Sequence, residues 1–280
     1  MADACLARPK RYGETMTDLS PVDLEDLAVA RGLLENPGFV ARITDVVGSP
    51  IEAGMELLPV AAREMIAQAT HRALDRALGF ALVTLDDRPR KEASEWVHKL
   101  VAAGTGAAGG FFGLPALAIE LPVSTTIMLR SIADVARSEG EHIKTPQTKL
   151  ACLEVFALGG RKTGDDSSES GYFFVRGAMA KTMAEAAEYM TSQGLAQESA
   201  PALVRLVVQI AERFSIPVTH KVAAQMLPVL GAAGGALLNT LFMDHFQNMA
   251  RGHFIVRRLE RACGAQVVRR AYLDLAREAS

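Results

Sequence analysis

VAAGTGAAGGFFGLPALAI, from Val101 to Ile119, and VAAQMLPVLGAAGGALLNTLFM, from Val222 to Met243, decide how this chain is read. Neither carries a charged residue, and each contains the word Ala-Ala-Gly-Gly. An apolar run of about 18 residues or more is the usual length for a bilayer-spanning helix. The glycines, alanines and prolines make both runs weak spans. They also make good close-packing surfaces: Gly106/Gly110, Gly109/Gly113 and Gly231/Gly235 are each spaced G-x-x-x-G, which lets backbones approach. The pair predicts two Gly/Ala-rich central helical arms packed against each other in an all-α, single-domain, multi-helix protein.

The rest of the chain supports that class. At 280 residues with 49% hydrophobic and 6% aromatic content, it has ample material for a core and favours close helix packing over a sandwich. No segment alternates with the period of a half-buried strand. A formal net charge of −2 gives no pull toward nucleic acid. Cys5, Cys152 and Cys263 are odd in number and far apart, which fits a reducing compartment, and the N-terminus has no apolar signal region.

Residues 1–19 read as a polar tail and 20–280 as the helical domain. Ser20-Pro21-Val22-Asp23 is a helix-start signal leading to about Glu35. Further helices are predicted over about 38–47, 59–85, 91–103, from Pro115 to Ser138 with a kink at Pro122, 147–158, 172–192, 200–214 and 244–279. The loop 159–171 is rich in Gly, Ser and Asp. Met128, Arg130, Val135 and Arg137 recur as Met249, Arg251, Val256 and Arg258 at one offset. That echo reads either as coincidence in Ala-rich helices or as an internal pseudo-repeat.

Glu120 is the most anomalous residue: a carboxylate in LAIELPV must be paired or protonated if buried. Pairing would make it a helix lock, with Arg251 as the expected partner. Protonation would make it a catalytic acid or base candidate in an apolar pocket. Asp244, Asn248 and Arg251 form one helical stripe, and Arg130, Asp134 and Arg137 form its counterpart, so a polar network of Glu120, Arg130, Asp134, Asn239, Asp244, His245, Asn248 and Arg251 is expected between the arms. Arg257, Arg258, Arg261, Arg269 and Arg270, interleaved with apolar residues, read either as a membrane or partner surface or as an ordinary solvated face. Gly104-Thr105-Gly106-Ala107-Ala108-Gly109 matches a dinucleotide-loop spacing but follows a helix-like segment and lacks the acid further on, so no cofactor is expected. His245 and His253 are eight apart, unsuited to one metal on a helix, and no metal is expected.

Three words, AAGGFFGLPALAIELPVSTTIMLRSIADVARSEGE, LACLEVFALGG and GAAGGALLNTLFMDHFQNMARGHFIVRRLE, resemble the EcsC family of bacterial proteins, from about Gly48 to Ala271. That family is named for a member encoded beside ABC-transporter components. The resemblance implies a helical, membrane-associated protein and no catalytic residues. The leading expectation is a non-enzymatic protein, cytoplasmic and peripheral to the inner membrane of a bacterium, accessory to transport or secretion or binding lipid. Its partners would be anionic membrane lipid or a membrane protein. One alternative is a hydrolase-like enzyme using Glu120, another a soluble module that binds lipid or a partner.

Overall fold

The computed structural model describes residues 19–35, 39–47, 51–56, 58–84, 114–160, 171–193, 200–226 and 232–278. Among them are ten helices and no strand. In chain order they are α1 (Pro21–Glu35), α2 (Phe39–Val47), α3 (Ile51–Glu56), α4 (Val60–Thr84), α5 (Leu114–Ser138), α6 (Pro146–Leu158), α7 (Gly171–Gln193), α8 (Pro201–Gln225), α9 (Ala232–Cys263) and α10 (Ala265–Glu278). The sequence boundaries survive where a cap encodes them. At α1 the Ser20 Oγ accepts from the Asp23 N–H at 3.2 Å, while Asp23 Oδ2 accepts from the Ser20 N–H at 3.2 Å. This reciprocal box satisfies two N-terminal donors at once. At α6, Pro146 follows Thr145, whose hydroxyl oxygen accepts from the Thr148 N–H.

Helix α6 is the axis of the fold. Every residue from Thr148 to Leu158 is buried, as expected of a helix that is apolar all round. It is enclosed by α5, α7, α8 and α9 and touches the end of α4. Its two charges are both used. Lys149 Nζ donates to the Leu82 carbonyl oxygen at 2.9 Å, satisfying one of the last-turn carbonyls of α4. Glu154 faces the polar chain described below. Phe156 of α6 meets Phe214 of α8 and Phe246 of α9 at 4.9 and 5.5 Å, and Phe242 joins them, giving the aromatic centre of the core.

Three boundaries differ from the sequence reading. Helix α8 runs through Pro217 to Gln225 rather than stopping near 214, because both its flanks are packed, against α4 and α7, and the core outweighs one lost backbone bond. The second uncharged run is therefore not one arm: Val222–Gln225 closes α8 and Ala232 opens α9. Helix α9 then continues unbroken from the small-residue word into the arginine-rich stretch, to Cys263. Helix α5 carries Pro122 in its interior, as expected. The helix expected over 91–103 and the packing glycines Gly106, Gly109, Gly110, Gly113 and Gly231 lie outside the described residues; Gly235 is buried in α9. Met128 and Met249, like Val135 and Val256, are all buried, as two helices on one core require whatever their history.

Candidate functional site

Glu120 is buried and ionically paired, but its partner is Lys221 of α8. Nζ lies 2.6 Å from Glu120 Oε1, and the Lys221 side chain is 0% exposed. The ammonium also donates to Asn239 Oδ1 of α9 and sits 5.2 Å from the centroid of the Phe242 ring. One carboxylate, one amide oxygen and one aromatic face thus compensate the desolvation of a fully buried ammonium. Arg251 is not that partner: it lies twelve residues beyond Asn239, about 18 Å along α9 at 1.5 Å per residue. The same rise dissolves the expected single network. Arg130 is exposed over the Phe80 ring, at 5.2 Å, and Asp134 pairs with Arg137 within one turn. His245 Nε2 hydrogen-bonds the Gly159 carbonyl at 2.9 Å, and its ring stacks on Phe39 at 4.9 Å. Asp244, Asn248 and Arg251 are half-buried further along α9. Of that set, Glu120 and Asn239 are brought together, on the Lys221 ammonium.

The sequence did hold a signal for Lys221. It is the only charged residue between Arg213 and Asp244, as isolated in its apolar setting as Glu120 is in its own. Two lone charges in apolar helices have one cheap way to be buried, which is against each other.

A second polar assembly was not foreseen. His253 of α9 is fully buried, with Nδ1 3.0 Å from the Tyr172 hydroxyl of α7. Arg176 Nη1 donates to the same hydroxyl oxygen at 3.2 Å and grips Glu260 with two bonds of 2.8 and 3.0 Å. On the other side of the imidazole, Glu154 Oε2 of α6 is 3.7 Å from Nε2, beyond hydrogen-bond length. Burial, with Arg176 and Arg257 nearby, holds the His253 pKa well below its usual range. Burial likewise pushes Glu154 up, opposed in part by those arginines. Tyr172 is also raised, chiefly by burial. Burial therefore disfavours charge in the interior of this assembly, and the Arg176–Glu260 ion pair lies toward its half-buried rim. Glu154 is the lone charge in LACLEVFALGG, a signal the sequence did hold, but Tyr172 and Arg176 reach α9 from more than 80 residues away, with no local pattern to mark them.

At the arginine-rich end, acids from elsewhere in the chain meet three of the arginines. Arg257 Nε donates to Glu141 Oε1 at 2.8 Å, and Arg261 binds the same carboxylate. Arg258 bridges Glu139 and Asp26 at 2.8 and 2.7 Å. Burial alone would raise Glu141, but Arg257, Thr148 and Arg261 together hold its carboxyl below the usual value. Three of the five arginines expected at a membrane or partner surface thus have intramolecular acids, delivered by the α5–α6 turn and by α1. Arg269 is exposed, 5.6 Å from the Phe173 ring, and Arg270 is exposed.

Several apolar side chains are exposed on the elements near Lys221. Ile119 is 73% exposed and Val123, one turn on, 42%. Leu237, two residues from Asn239, and Met226, five from Lys221, are also exposed. Val60 belongs to the same end: it opens α4 just after α3, whose Gly54 approaches so closely that a Cβ there would lie 2.4 Å from the Ala223 carbonyl oxygen. Among the described residues no helix is long and apolar enough to cross a membrane, and no cluster of His, Cys, Asp and Glu fits a metal.

A family model described as the EcsC protein family matches residues 40–259. No curated protein and no solved structure matches the chain.

Proposed function

The chain belongs to the EcsC family, and from that premise we propose that it is a non-enzymatic, peripheral membrane protein that meets lipid with the Lys221 end of its helical bundle. The observation that carries this reading is a set of exposed apolar side chains, Val60, Ile119, Val123, Met226 and Leu237, on the elements that bear or flank the buried charge lock. The described parts of the two uncharged runs belong to the start of α5 at Leu114, the end of α8 at Gln225 and the start of α9 at Ala232, the elements that carry the Glu120–Lys221–Asn239 contact. An apolar rim on a rigid helical end suits shallow insertion below the headgroups, where each side chain removed from water contributes about 1.5 kcal/mol or more. The arginines of α9 contribute less than their number suggests, because Arg257, Arg258 and Arg261 already have carboxylate partners.

The acid–base alternative gains no support from Glu120, whose oxygen is engaged by Lys221. The reading is tested by flotation with protein-free vesicles of mixed zwitterionic and anionic lipid. The full chain is expected to float, and to keep floating at about 1 M salt, where charges are screened beyond about 3 Å. The triple variant Ile119→Ser, Val123→Ser, Leu237→Ser is expected to lose at least tenfold in partitioning while melting like the parent. Failure of the parent to float on any vesicle would remove the lipid reading and leave a protein partner for this surface.

A further inference from the structure

We propose that α1 and α10 form a releasable cap over the Glu154–His253–Tyr172 chain, and that protonation of His253 opens it. The cap is a distinct layer. Both helices lie outside the matched family region 40–259, they pack on each other, and α1 lies along α9. The seating of α1 is close: at Gly252, the neighbour of His253, a Cβ would come within 2.6 Å of Leu34 Cγ and 2.9 Å of the Ala30 carbonyl oxygen. From α10, the fully buried Tyr272 stacks on Tyr172 at 5.9 Å and meets Phe173 edge-on at 5.1 Å. One carboxylate ties the layer together. Glu35 Oε1 of α1 accepts from the Tyr272 hydroxyl at 3.0 Å and from the Tyr172 N–H at 3.3 Å. Tyr272 and Tyr172 are thus stacked above the imidazole, and the helix next to it seals the side.

Under the closed cap Arg176 donates to the Tyr172 oxygen, and with the Tyr172 hydroxyl hydrogen directed to His253 Nδ1 the neutral ring carries its hydrogen on Nε2, facing Glu154 across 3.7 Å without a hydrogen bond. A second proton would have to sit on Nδ1, which breaks the bond from Tyr172 and creates an imidazolium in a dry site. The groups facing it are Glu154 from α6, Tyr172 and Arg176 from α7, Arg257 and Glu260 on α9 itself, Glu35 from α1 and Tyr272 from α10. Of these, the two arginines oppose a cation, and Glu260 and Glu35 are already committed to Arg176 and to the tyrosines. Glu154 sits on the enclosed helix α6, so it stays covered whether or not the cap is seated.

Linkage then sets the direction. A histidine whose pKa is lowered in the closed state favours closure fully above its free value, about 6.5, and loses that advantage as pH falls below it. For one such group the opening constant rises about 25-fold between pH 7 and pH 5. Rest on the membrane reading is not required, since the cap lies at the opposite end of α9 from the apolar rim.

Hydrogen exchange of the full-length protein, corrected for the intrinsic pH dependence of exchange, tests this. Protection in α1 and α10 is expected to fall by about 25-fold from pH 7 to pH 5, while α5 and α6 stay protected. His253→Gln, which cannot gain a proton, is expected to flatten that dependence. Tyr272→Phe, which loosens the cap from its outer side, is expected to raise α1 and α10 exchange by the same factor at every pH and leave the pH dependence in place. The proposal is overturned if α1 and α10 exchange only together with α5 and α6. It is equally overturned if His253→Gln keeps the parent's pH response or, where that variant does not fold, if Tyr272→Phe leaves the exchange of α1 and α10 unchanged.

Discussion

At Asn239, helix α9 meets a buried charge pair; about 21 Å further along, at His253, it meets a polar chain whose burial disfavours charge. The two solve one problem in opposite ways. Around Lys221 the ions touch, and each cancels the other where they stand. Around His253 the imidazole and the Glu154 carboxyl are too far apart, at 3.7 Å, to form a hydrogen bond, and burial works against the charged form of each. The first arrangement is intolerant of losing either member. The second tolerates substitution better and responds to protons. A position on the same helix therefore says little about chemistry until the opposing side chain is known.

The comparison is sharpest at Lys221. Lys221→Met strands the Glu120 carboxylate in an apolar setting and is expected to cost about 3–5 kcal/mol in chemical denaturation. The double variant Glu120→Leu, Lys221→Met is expected to regain most of that loss, because neither charge is left unpaired. A double variant as weak as the single one would mean that Asn239 and Phe242, rather than the pair, hold this end.

Next in size is Glu141, which joins the arginine end of α9 to the turn after α5. Glu141→Gln is expected to lose about 1.5–3 kcal/mol at neutral pH, in keeping with charge-assisted bonds to Arg257 and Arg261. The sign with pH is fixed by its lowered pKa: the contribution is complete above the ordinary value of 4.5 and disappears as pH falls through the folded value. Melting curves of parent and variant should therefore converge in acid. Divergence there would show that the carboxylate is not the group involved.

Tyr172→Phe probes the His253 chain. It removes the donor to His253 Nδ1 and the acceptor for Arg176, with an expected cost of about 1–2 kcal/mol. The imidazole nitrogen resonances are expected to move as well, since the tautomer is held by that hydroxyl; unchanged resonances would break the assignment. The smallest effect is expected at Arg270. It is exposed, and Arg270→Gln should alter stability by less than about 0.5 kcal/mol and leave vesicle partitioning at high salt unchanged. A large loss there would return the membrane contact to the basic end.

The helices themselves were largely legible because their signals are local. Ser20 and Asp23, Thr145 and Pro146, and the proline at 201 each act within one turn, and the predicted starts fall within a residue or two of the observed ones. Where a local signal and the core disagreed, as at Pro217, the core decided and the sequence boundary was short by eleven residues. The site was legible only in part. Glu120 announced itself, because an acid in an apolar word has few outcomes, but Arg251 was the wrong partner since the two arms are not in register across 18 Å of helix. The C-terminal arginines looked like a free basic face because Glu139, Glu141 and Asp26 lie more than 110 residues away in the chain.

From the order of residues alone come the helical class, the capped starts, the need for some partner to Glu120 and the small-residue words that allow backbones to meet. These depend on interactions across three or four positions, which any reader of the chain can count. Which cation met Glu120, which acids absorbed the arginines, and how α1 and α10 came to cover His253 were decided by packing. Such contacts join residues separated by 100 or more positions, and only the shared burial of the described helices in one core selects among the many pairings the sequence permits.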